Sequence, residues 1–168
     1  MSERIVLLTI THIEARHLAG LVAQFGELLE ETDTDTAGNV SHDPAIARLT
    51  PPAYSDDDEA ADDFRRATQS DLLGRRAQDA ARVLRDLTRI DEGGDAPVDE
   101  HDAERPLDVA LDDEGVRAWM RTLTAIRLVI ASRLGIVDED DRDEDDPRFG
   151  VYDWLGYRLE GLIQTSDI

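Results

Sequence analysis

Apolar and polar positions along the chain follow two periods, and the switches between them mark its elements. Ile5–Ile10 (IVLLTI) is a continuous apolar run of strand length that stops at Thr11. Thr11 and Glu14 have the spacing of a capping box, and a helical period follows. Leu18, Leu21, Val22, Phe25, Leu28 and Leu29 form one stripe, which predicts a helix over 11–31. Residues 32–41 are rich in Thr, Asp, Gly and Asn and read as a loop. Asp43-Pro44 offers a cap and a first-turn proline for a short helix over 43–49, which Pro51-Pro52 ends. From Asp56 acids precede arginines, the order the helix dipole favours, and a fresh cap near Asp71 separates that piece from a helix over 69–90. Its stripe is Leu73, Ala77, Ala80, Leu84 and Leu87.

The second half repeats the strand-then-capped-helix order. Residues 91–106 are acidic and punctuated by Gly and Pro, hence a loop. Leu107–Leu111 alternates weakly and leads to Asp112, a cap for a helix over 112–134. That helix carries Val116, Trp119, Met120, Leu123, Ile126 or Arg127, Ile130 and Leu134, with Gly135 where a C′ residue belongs. Residues 137–147 form a third acidic loop. A last helix over 148–165 buries Val151, Trp154, Leu155, Leu159, Leu162 and Ile163. A lone strand leaves its backbone groups unpaired, so 5–10 is expected to pair with 107–111. The fold class expected is mainly α: a five- to six-helix bundle with a small two-stranded β ribbon. Residues 1–168 form one domain with flexible acidic loops, and helices 11–31 and 112–134 lie side by side.

Charge sharpens this outline. The chain has 168 residues and a net charge of −21, and all 18 of its basic residues are arginines. There is no cysteine, which removes disulfides, thiol nucleophiles and thiol-ligated zinc. No apolar run approaches membrane-spanning length and the N-terminus does not read as a signal peptide, so no membrane partner is expected and the expected compartment is the cytoplasm. Phosphate repulsion over most of the surface argues against a protein that coats DNA.

The arginines gather locally. Phe64–Ile90 carries seven of them against three aspartates, a net +4. Arg75, Arg82, Arg85 and Arg89 share one helical face with Gln78, opposite the Leu73/Leu84/Leu87 stripe. That face could be a solvated surface, a docking site for an acidic partner protein, or a phosphate contact. Carboxylate spacings at Glu27/Glu30/Glu31, Asp58/Asp62 and Glu59/Asp63 would suit a divalent metal in a helical nucleotide hydrolase. In a chain with 39 acids such spacings also arise by chance. Residues 138–146 lack the glycine and closing glutamate of an EF-hand. His12 and His17 point to different sides of a helix, His42 and His101 lie in loops, and no motif of a hydrolase or phosphate loop is present. No catalytic residue, cofactor or metal is expected. Trp119, Tyr152 and Trp154 are expected to pack in the core.

Four ordered segments carry a resemblance. They are Asp43–Leu49 with Pro51–Tyr54, Phe64–Thr68 with Asp71-Leu72, Trp119–Ile136, and Tyr152–Leu155. Together they are similar to the DUF2017 family of actinobacteria, which includes AosR-like oxidative-stress transcriptional regulators. The resemblance implies a cytoplasmic, non-enzymatic regulator that works through protein contact, with an extracytoplasmic-function sigma factor as the candidate partner. A Clp-linked proteostasis adaptor is the alternative, and direct nucleic-acid contact or a homodimer remain open. Sensing through a disulfide, implied for redox-responsive members, is excluded by the missing cysteines.

Overall fold

In a computed structural model, residues 3–35, 44–49, 58–92, 104–136 and 145–166 are described. Strand β1 (Val6–Thr11) enters helix α1 (His12–Asp35), followed by α2 (Pro44–Leu49) and α3 (Asp58–Glu92). Strand β2 (Pro106–Leu111), α4 (Asp113–Leu134) and α5 (Pro147–Ser166) complete the order. The mainly α fold with a small β ribbon is as expected. β1 pairs antiparallel with β2, with Leu8 opposite Val109 and Ile10 opposite Leu107. Val6, Leu8 and Ile10 face the helices together with Leu107, Val109 and Leu111, while Leu7 and Ala110 face outward.

Three of the helix ends written in the sequence, at Thr11, Asp112 and Gly135, are observed. Thr11 Oγ1 accepts from the Glu14 backbone N–H at 3.2 Å, and Glu14 Oε2 accepts from the Thr11 N–H at 2.9 Å. Asp112 Oδ1 accepts from the Gly115 N–H at 2.6 Å and opens α4. Gly135, at φ 72°, closes it. The Gly135 N–H donates to the Ser132 carbonyl and that of Ile136 to the Ala131 carbonyl, the double bond of a Schellman turn.

Helix α4 is the central element. Ala118, Thr122 and Ala125 are buried as well as Val116, Trp119, Leu123 and Ile126, so two of its sides are covered. α2, α3 and α5 all pack on it. Small residues on the second side let these neighbours approach closely. Ile126, fully inside, takes the position for which Arg127 was the other option; Arg127 is half-buried. A satellite cluster of Ala131, Ile136 and Phe149 joins the end of α4 to the start of α5.

Five expectations need correction. α3 is one helix across the junction near Asp71, because nothing between Ala60 and Ile90 removes a backbone donor; the polar residues there merely resemble a cap. α1 runs through Thr32 to Asp35. Thr32 is buried, and its hydroxyl donates to the Leu28 carbonyl at 2.8 Å, a bond that lets a threonine stay inside a helix. α3 continues to Glu92 and β2 begins at Pro106, so both elements reach into the 91–106 interval expected as a loop. α1 packs mainly on α3 and touches α4 only lightly, so helices 11–31 and 112–134 meet at a minor contact rather than lying side by side along their length. Val151 is exposed and Phe149 is buried in its stead, so the buried stripe of α5 begins two residues earlier. Residues 36–43, 50–57, 93–103 and 137–144 lie outside the described residues, with them the cap at Asp43, His42, His101 and most of the acidic loops.

Candidate functional site

The arginine face of α3 divides into separate environments. Arg82 is turned inward along the seam with α4, where Nη2 donates to Asp112 Oδ1 at 2.6 Å. The same oxygen caps α4, so Arg82 braces a helix start. Gly115 admits this arrangement. A Cβ there would stand 3.0 Å from Asp112 Oδ1 and 3.4 Å from Arg82 Nη2. Of the expected partner-binding set, Arg82 is thus tied to Asp112 within the chain, its side chain still 35% exposed.

The aspartates of α3 are occupied on the same seam. Asp79 takes a two-pronged contact from Arg121 of α4, Nε at 2.8 Å and Nη2 at 3.0 Å. Those bonds are the main reason the Arg121 pKa is raised. Asp86 accepts from the indole N–H of Trp119 at 2.9 Å, which satisfies the polar atom of a fully buried ring. Asp79, Arg82 and Asp86 thus form a polar zip one helical turn apart, each tied to α4.

What remains is distributed. Arg75 is exposed, 3.6 Å from Asp71 in an i, i+4 pair that solvent screens to a small contribution. Arg85 is exposed, with no side-chain partner among the described residues. Arg89 is exposed beside β2, where it lines a hollow of about 280 Å³ with Asp86, Leu107 and Val109. These arginines do not converge on one point.

A charged concavity lies one step round α3. A groove of about 750 Å³ opens between α3 and α4, lined by Leu72, Arg75, Arg76, Gln78 and Asp79 on one wall and Met120, Arg121 and Thr124 on the other. Leu72 and Met120 are half-buried and form an apolar floor. Arg76 is half-buried too. Its Nη2 donates to the Leu49 carbonyl at 3.3 Å, while its Nε is buried with no hydrogen-bond partner. Burial lowers its pKa, and the charge of nearby Asp79 only partly opposes this, because that carboxylate is engaged by Arg121. Sequence reasoning missed Arg76 and Arg121. Arg76 sits one residue off the expected face, and only the packing of α4 shows that this offset points it into a groove.

A family profile described as a domain of unknown function (DUF2017) matches residues 2–166. The chain belongs to the DUF2017 family. No curated protein and no solved structure matches it. The family therefore covers every element described above, groove and ribbon included.

A second polar cluster lies at the other end of the molecule. Glu14 Oε2 accepts from Arg158 Nη2 at 2.5 Å and Oε1 from the Trp154 indole N–H at 3.1 Å. Arg158 Nη1 also donates to the Thr9 carbonyl at 3.0 Å, pinning α5 to β1. Burial would raise the Glu14 pKa, but the hydrogen bonds from Arg158, the Thr11 N–H and Trp154 outweigh it and hold the carboxyl at about 2. This cluster is closed on itself. No three His, Asp or Glu side chains converge on a possible metal position among the described residues; the side chains of Asp58, Glu59, Asp62 and Asp63 lie outside them. No helix among those residues is long and apolar enough to cross a membrane.

Proposed function

We propose that this DUF2017 protein is a cytoplasmic, non-enzymatic regulator that acts by protein contact in stress-response gene expression, with a sigma factor as its candidate partner. The observation that supports this reading is a local basic surface on a strongly acidic body. Arg75, Arg76, Arg85 and Arg89 stand along α3 in a chain of net charge −21. Mixed charge of this kind steers and orients a protein partner, while it repels an extended polyanion beyond the basic patch. The similarity of the four sequence segments to actinobacterial regulators supplies the stress-response setting. Without cysteine, a thiol switch plays no part in this chain.

The test is a pull-down from native lysate, with and without nuclease, using the wild-type chain and an Arg75→Gln/Arg85→Gln/Arg89→Gln variant. Nuclease-resistant capture of a sigma factor, lost in the variant while helicity is unchanged, is the expected result. No sigma-factor capture, or a promoter-DNA gel shift in its absence, would remove the reading.

A further inference from the structure

We infer that the α3/α4 groove is a docking site for an acidic amphipathic helix of a partner protein, whose apolar side chains rest on Leu72 and Met120 and whose carboxylates meet Arg76 and Arg75. This rests on the protein-contact reading above and names the chemistry of the partner segment.

Charge complementarity selects the occupant. Three arginines and one aspartate line the groove, while the whole chain is strongly acidic. Arg121 and Asp79 neutralise one another. Arg75 has only a screened, exposed contact with Asp71. Arg76 has no carboxylate within ion-pair distance among the described residues, yet it is partly withdrawn from water. A cation held this way raises the free energy of the unoccupied protein, and a carboxylate arriving beside it recovers that cost.

The floor distinguishes a peptide from a polyphosphate. Leu72 and Met120 offer apolar contact, and the flexible thioether of Met120 adapts to anchors of different shape. A phosphate backbone cannot use that floor, and outside the groove it meets an acidic surface. A helix with apolar residues at i, i+4 and i+7 and glutamates between them uses both features. A second copy of this chain fits less well, because two bodies of −21 repel as they approach.

The experiment uses the full chain and a fluorescein-labelled synthetic helix with leucines at i, i+4 and i+7 and glutamates between. The same helix with lysine for glutamate and a single-stranded oligonucleotide serve as controls. Expected is saturable anisotropy for the acidic helix, weakening with salt, with amide shifts clustered at Leu72, Gln78, Met120 and Thr124. Arg76→Met should weaken binding about tenfold. Thr124→Trp, a change at an exposed groove position, should fill the site and abolish binding with an unchanged urea midpoint. Equal binding of the lysine helix, binding that survives Thr124→Trp, displacement of the helix by the oligonucleotide, or no saturation would each overturn the inference. The lysate pull-down separates the two readings. A sigma factor retained equally by wild type and Thr124→Trp keeps the protein-contact reading and refutes the groove.

Discussion

Two arginines, Arg158 and Arg76, carry the same group in similar half-buried surroundings, and their partners differ completely. Arg158 has a carboxylate at 2.5 Å and a strand carbonyl at 3.0 Å; only its Nε is left over. Arg76 has one carbonyl at 3.3 Å and, among the described residues, no carboxylate within ion-pair distance, Asp79 acting on it only from farther off. The Arg158 cluster joins β1, α1 and α5 and leaves nothing for another molecule. The α3/α4 seam is joined through Asp79, Arg82 and Asp86, and in the groove beside it the Arg76 charge is only partly opposed, by Asp79. A half-buried arginine is structural when its charge is answered inside the chain, and a site when it is not.

The largest effect should come from the seam that both helices need. Trp119→Ala removes a fully buried indole together with its bond to Asp86, and should cost about 4 kcal/mol in urea denaturation. Trp119→Phe, which keeps most of the ring volume but leaves Asp86 unanswered, should cost about half as much. Loss of less than about 1 kcal/mol in the alanine variant would mean that α3 and α4 are held by other contacts.

Next is the closed cluster. Glu14→Gln should destabilise by about 2 kcal/mol at neutral pH, since the capping box and the charged bonds from Arg158 weaken together. Its pH dependence has a definite sign. The Glu14 carboxyl is held at about 2 against an ordinary 4.5, so its contribution is complete above 4.5 and is lost as pH falls toward 2. The stability gap between wild type and Glu14→Gln should therefore close across that window. A gap that stays constant from neutral pH down to 2 would contradict the assignment.

Smaller still, Arg82→Met should cost about 1 to 2 kcal/mol. It removes the brace on Asp112 but leaves the cap bond to Gly115 in place. Arg85→Gln and Arg89→Gln should stay within about 0.5 kcal/mol, as exposed substitutions away from special features do. A substantial loss at Arg85 would show an intramolecular role and withdraw it from the interaction surface.

The architecture was legible where local chemistry is unambiguous. Thr11 and Glu14, Asp112, and Gly135 each announce a helix end through hydrogen bonds made within a few residues, and all of them form as written. The echo of strand and capped helix in the two halves also sufficed to pair β1 with β2. Legibility failed where the decision is tertiary. Thr68, Ser70 and Asp71 have the residue types of a cap, but a helix continues unless a donor is lost or a neighbour stops it, so α3 runs through them. Val151 and Phe149 are both apolar, and only the position of the α4 end at Ala131 and Ile136 decides which is covered. The site was half legible for the same reason. Helical spacing groups Arg75, Arg82, Arg85 and Arg89 on one side of α3, but it carries no information about the elements that pack beside them and divide that face. Asp112 and Arg121, distant in sequence, decide which charges are answered.

Urea denaturation of Arg158→Met beside Arg76→Met tests this distinction most directly. The same substitution is made at two half-buried guanidiniums. Arg158→Met should lose about 2 to 3 kcal/mol, because Glu14 is left without its counter-charge. Arg76→Met should fall within about 0.5 kcal/mol of wild type or above it, because the lost bond to Leu49 is offset by removal of a half-buried charge that Asp79 answers only in part. Equal losses at the two positions would show that Arg76 is an ordinary structural arginine, and the groove would no longer be a site.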